Sequence, residues 1–159
     1  MSETVQFSIL GLEGLQLKIK AVNDDVRYKG GRFALRKAAL QLAAIVKANA
    51  ERVDDPTTAR SIPANVTLRF NRKQFEASGR VGFRVGIRGG AGGNKPSEAF
   101  AGNPGKDTRY WRHLEFGTQK TPAQPFMRKS LAQNIGPLTT TFVNEFGAAL
   151  TRAIRRAGK

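Results

Sequence analysis

Tyr110-Trp111-Arg112-His113-Leu114-Glu115-Phe116-Gly117-Thr118, continued through Gln119 to Gln124 and then Pro125-Phe126-Met127-Arg128-Lys129-Ser130-Leu131, holds the only Trp, the only His and two of the ten Phe of the chain. Tyr110, Trp111, Leu114 and Glu115 recur at helical offsets, which puts the rings and Leu114 on one face of a short helix. Gly117 follows the last periodic residue and supplies the left-handed geometry that closes a helix without a steric penalty. Pro122 and Pro125 each push the preceding residue towards extended backbone, so Thr118 to Gln124 is expected to cross a surface as a taut strap. Pro125 suits the first position of a second helix, where a missing N–H costs nothing, with Phe126, Met127 and Leu131 as its buried edge.

Upstream, the spacing predicts a long helix over Phe33 to Val53. Leu35, Ala39, Leu42, Val46 and Val53 form its stripe, while Arg36, Gln41 and Lys47 face away. Gly30 and Gly31 would each cost about 1 kcal/mol inside a helix, so the helix should begin after them, and Pro56 should end it. Val66, Leu68 and Phe70 alternate with Thr67, Arg69 and Asn71; Val81, Phe83, Val85 and Ile87 alternate with Gly82, Arg84, Gly86 and Arg88. These are two amphipathic strands joined through residues 72–79 as an antiparallel hairpin, its apolar face over the long helix. The outer face then carries a row of arginines, Arg69, Arg84 and Arg88.

Residues 88–108 contain six glycines and two prolines, which argues against helix and strand alike and marks a long loop. No Gly-Lys-Ser/Thr ending or dinucleotide fingerprint makes this loop a phosphate cradle. Beyond Leu131, Gly136-Pro137 should break or kink the chain before a terminal helix with the stripe Leu138, Phe142, Val143, Phe146, Leu150 and Ile154. Arg152, Arg155, Arg156 and Lys159 complement the dipole at its end or offer a polyanion contact. At the other terminus Val5, Phe7 and Ile9 alternate as a short strand, and residues 12–22 fit either a strand or a helix. The fold class is therefore α+β: a small antiparallel sheet packed by a long central helix and a C-terminal helix, with a long glycine-rich loop, in one domain over residues 1–159.

Composition narrows the function. The chain has no Cys and one His, which excludes disulfides, thiolate metal sites and a His-rich site within one chain. No apolar run approaches the roughly 20 residues of a membrane span, and no secretion signal is expected. Residues 1–55 carry 9 basic and 7 acidic side chains, 56–110 carry 10 and 3, and 111–159 carry 8 and 2, for a net charge of +15. Such a surplus fits nucleic acid, an acidic protein surface, or solubility alone. His113 and Glu115, two apart on a helix, point in different directions, and no nucleophile is placed beside them. No catalytic, cofactor or metal residues are expected.

The order of elements in the opening stretch resembles the tail-completion, or neck, proteins of long-tailed double-stranded DNA bacteriophages. Their pattern is a Tyr-containing helix, Glu-(Phe/Tyr)-Gly-Thr, a short Pro/Ala-rich link, and Pro-Phe-(Leu/Met)-Arg before a small residue and Leu. Tyr110, Glu115, Phe116, Gly117, Thr118, Pro122, Ala123, Pro125, Phe126, Met127, Arg128 and Leu131 match it. Lys129 departs where many relatives have a second proline, and Ala59 stands where the family usually has glycine in Asp-Thr-Gly-Xaa-Leu.

The resemblance implies a helix over residues 12–22. It also implies a non-enzymatic virion protein, assembled in the bacterial host cytoplasm into a six-fold ring. That ring would stack on the tail terminator and face the head-closure ring, with genomic DNA in its lumen. Arg69, Arg84, Arg88 and Lys95 are then the candidates for facing that DNA, and the loop is expected to be ordered by a ring neighbour. Two alternatives remain open, a tail-terminator ring protein and a free-standing basic nucleic-acid-binding protein.

Overall fold

The computed structural model describes residue 20, residues 25–89 and residues 97–157. The strand expected at Val5, Phe7 and Ile9, nearly all of residues 12–22, and Lys95 lie outside the described residues.

A π-helical turn, Asp25–Gly30, runs into the long helix α1, Gly31–Glu51. The helix thus starts at Gly31 rather than after it. A Cβ there would meet only ordinary contacts, 3.5 Å from Val26 O and 3.8 Å from Phe146 Cε2, so packing does not require glycine at this position. Ala34 and Ala38 are buried in the first half of α1, and Ala149 and Ala153 in the terminal helix that packs on it. Gln41 was expected to face away. Instead its Oε1 accepts a 2.7 Å hydrogen bond from Thr141 Oγ1 across that contact. In its second half α1 turns Val46 and Ala50 towards Ile62, Ile87 and Phe126, the buried centre of the domain.

After α1, Asp54 Oδ2 accepts from Ile62 N at 3.0 Å, and Ser61 Oγ caps a one-turn helix α2, Ile62–Asn65. Strands β1, Val66–Phe70, and β2, Phe83–Ile87, pair antiparallel in the register that the alternation requires, Leu68 opposite Val85 and Arg69 opposite Arg84. Val81 falls outside β2. The connection is more than a loop. It holds helix α3, Arg72–Ser78, closed by Gly79 at φ +64°, and its Phe75 lies 5.5 Å from the Phe70 ring and 6.0 Å from Tyr28.

The second half of the glycine-rich stretch is packed, contrary to the expectation of a loop free of structure. Ser97–Phe100 forms a 3-10 turn, and Phe100 is buried beneath the Arg109 guanidinium, 4.7 Å above its ring. Asn65, fully buried, donates through Nδ2 to Thr108 Oγ1 at 2.7 Å and Lys106 O at 2.9 Å and accepts from Gly105 N at 2.9 Å. Gly105 permits this, since a Cβ would fall 1.9 Å from Ser61 O. Three hydrogen bonds to one buried side chain thus overcome the flexibility that the composition suggests.

The terminal helix α6 spans Ile135–Ala157. Gly136 and Pro137 lie inside its first turn, where a proline N–H would be unpaired anyway, so the break comes earlier, at residues 133–134. Its apolar stripe divides: Leu138, Ala149 and Ala153 are buried, whereas Ile135, Val143, Leu150 and Ile154 are exposed.

Candidate functional site

The corner at residues 110–131 is built around one carboxylate. Helix α4, Trp111–Phe116, ends at Gly117, whose φ of +77° is open to glycine, and where a Cβ would come within 2.9 Å of Ala123 N. The chain then doubles back instead of running as a strap. Thr118 Oγ1 accepts from the N–H of Lys120 and of Thr121, and Gln124 N donates to Leu114 O at 2.7 Å. A threonine hydroxyl that gathers the N–H groups two and three residues on makes a turn, and this local bonding prevails over the extended bias of the prolines.

Helix α5, Met127–Ala132, starts two residues later than Pro125 suggested, because its cap comes from α4. Glu115, 1% exposed, accepts from Phe126 N at 2.8 Å, Met127 N at 2.9 Å and Arg128 N at 2.9 Å. Three of the N–H groups that every helix start leaves unpaired are satisfied by one side chain, with a negative charge at the positive end of the helix. Arg128 completes the arrangement. Its Nε donates to Glu115 Oε1 at 3.1 Å, its Nη2 to Glu115 O at 2.6 Å, and its guanidinium lies 4.8 Å over the Phe116 ring.

Tyr110 ties this corner to the end of α1, donating from its hydroxyl to Asp54 Oδ1 at 2.8 Å. Burial, reinforced by the Asp54 carboxylate, pushes the phenol up to about 12. Asn49 Nδ2 donates to Ser130 Oγ at 2.8 Å and joins α5 to α1. The motif residues Tyr110, Glu115, Gly117, Thr118, Phe126 and Arg128 therefore each hold a structural post. Pro122 and Pro125 lie in the returning segment, and Phe116 is exposed beneath Arg128. His113 is exposed, and among the described residues no group of three or more His, Asp or Glu is placed to hold a metal ion.

The outer face of the sheet is the second site. Arg69 and Arg84 stand directly opposite each other, both exposed, with Arg88 beyond them. A shallow cleft of about 190 Å³ runs among Thr67, Arg69, Arg84, Gly86 and Arg88. Like charges directly opposite on a ladder repel. Among the described residues none of the three arginines has an acidic partner, in contrast to Arg72 with Glu76, Arg109 with Asp107, and Arg128 with Glu115. Three of the four predicted DNA-facing residues are thus brought together.

Sequence reasoning missed Asn65, Asp54 and Asp107. Asp107 takes both Nε and Nη2 of Arg109, and that hydrogen-bonded guanidinium holds its carboxyl below the usual range. Ser61 followed by Pro63 was the available signal for α2, a capping residue before a proline in the first turn. Searches against protein-family models, curated proteins and solved structures returned no match to this chain.

Proposed function

We propose that the protein is a non-enzymatic component of a phage neck, forming a ring that completes the tail and joins it to the DNA-filled head. The observation that carries the reading is the corner itself. The residues that resemble the tail-completion motif serve as cap, stop, turn and anchor of one rigid joint, as expected of a building block rather than a catalyst. The exposed residues Ile135, Val143, Leu150 and Ile154 on α6 add apolar surface that subunit contacts would cover. Arg69, Arg84 and Arg88, which have no acidic partner among the described residues, suit sequence-independent contact with a phosphate backbone in the lumen.

Electron microscopy of the purified protein, and of virions produced without it, tests the proposal. Rings and unjoined heads and tails are expected. A monomer that binds duplex DNA in a salt-dependent way and forms no ring would replace the neck reading with that of a basic nucleic-acid-binding protein, the role that the Arg69–Arg84 pair would favour. Rings found only at the end of tails without heads would assign the tail-terminator role.

A further inference from the structure

Helix α6 has two apolar rows. Leu138, Ala149 and Ala153 are buried in the first, on the helix that packs against α1. The second, Gly136, Thr140, Val143, Gly147, Leu150 and Ile154, is exposed along its whole length. Its steps alternate four and three residues, the period at which one helix follows another along a shared seam. Charge is missing from this row in a chain with 27 basic and 12 acidic residues. Glu145 is the one charged residue between Ile135 and Thr151, and at two positions from both Val143 and Gly147 it points to the other side of the helix. Thr140 brings the row's one hydroxyl, which already donates to Gly136 O at 3.1 Å; the flanking Thr139 and Thr151 donate likewise to Ile135 O and Gly147 O. The row can therefore leave water without stranding a charge or a hydroxyl.

We propose that this row is the seat of a second copy of the chain, whose α6 packs antiparallel on the first about a two-fold axis. The spacing reads the same from either end, so Gly136 falls opposite Ile154, Thr140 opposite Leu150 and Val143 opposite Gly147. Every layer thus sets a larger side chain against a smaller one, as interdigitated packing requires. A parallel pair would set Ile154 against Ile154 and Gly136 against Gly136, crowding one end and leaving the other open. Charge selects the same partner and the same direction. Two copies of a chain with net charge +15 approach best where neither carries charge. A parallel pair would also gather Arg152, Arg155 and Arg156 of both copies at one end. The antiparallel pair holds the two sets roughly 27 Å apart at about 1.5 Å per residue, beyond a Debye length of about 10 Å. The contact joins two copies and closes no ring, so it goes beyond the neck reading and does not rest on it.

Six layers make a small interface, so the full chain should pass from monomer to dimer between about 1 and 100 μM in sedimentation equilibrium. Gly147→Val puts a second branched side chain into the layer with Val143 and should weaken association at least about tenfold. Nothing lies within 4 Å of a Cβ at Gly147, so the subunit should keep its fold, which circular dichroism checks. Val143→Gly combined with Gly147→Val exchanges the two partners at unchanged helix composition and should bring association back to within about threefold of wild type. Direction is read separately, since the chain has no native cysteine. Thr140→Cys chains mixed with Leu150→Cys chains should oxidise to the mixed pair, and neither alone should cross-link. A wild type that stays monomeric at about 100 μM, a folded exchange variant that does not recover, or cross-links within each cysteine variant alone would each overturn the proposal. A ring of unchanged mass in Gly147→Val would keep the neck reading and overturn this one.

Discussion

Arg128 grips Glu115 at two points, its Nε on the buried carboxylate and its Nη2 on the main-chain carbonyl of the same residue. The side chain that caps α5 is thereby clamped at both ends, and it ties α4 to α5 beside the apolar core on which Trp111, Leu114 and Met127 pack.

Glu115→Ala should therefore cost about 2 to 4 kcal/mol, since it removes a helix cap and strands buried N–H donors. Glu115→Gln, which keeps one strong acceptor, should cost less. Urea denaturation followed by circular dichroism ranks the three proteins, and equal midpoints for wild type and Glu115→Ala would contradict the capping role.

Two glycines in the stretch after Phe100 should behave in opposite ways. Gly105→Ala forces a Cβ against Ser61 O, at a 1.9 Å separation that only backbone movement can relieve, and should destabilise by about 3 kcal/mol. Gly102→Ala meets no atom within 4 Å and should stay within about 0.5 kcal/mol of wild type. Thermal melts of the pair decide whether this segment is packed in solution.

Tyr110 predicts an alkaline limb. Its phenol, ordinarily near 10, is held up to about 12 by burial and by Asp54, so the folded state keeps a proton that the unfolded chain has released. The associated stability is complete below pH 10 and is lost as pH rises through about 12. Lysines titrate in the same window, so the informative quantity is the difference between wild type and Tyr110→Phe. That difference should hold up to about pH 10 and shrink from there to about pH 12 in urea midpoints.

Relieving the opposed arginines should separate stability from binding. Arg84→Thr removes a like-charge cross-strand pair and should stabilise by about 0.2 to 1 kcal/mol. The same change should weaken duplex DNA binding and lower its salt slope by about 1 if the guanidinium meets a phosphate. An unchanged slope would direct this face towards an acidic protein instead.

What could be read in advance follows from the range of each interaction. The pairing of Val66 to Phe70 with Phe83 to Ile87 was legible because a period of two determines which side chains share a face, and the long helix because its stripe spans five turns. The Glu115 cap was not legible. It depends on a return of the chain that Thr118 creates, and nothing in the spacing of Glu115 and Phe126 reports that turn. Asn65 was hidden for a related reason: its partners lie forty or more positions away and are main-chain groups or a hydroxyl, which leave no periodic trace. On α6 the apolar stripe was seen whole, but a stripe reads alike whether its own core or another surface covers it, so the exposure of Val143 and Ile154 required coordinates.

The arginine ladder also restricts how copies of this chain meet. A two-fold dimer formed sheet to sheet would bring six guanidiniums into one seam, three from each copy and none with an acidic partner among the described residues, and Coulomb repulsion would work against it at every spacing inside the Debye length. The sheet face is thereby disfavoured as a two-fold seam, and a copy that met it would have to bring an unlike patch, which is by definition a heterologous contact.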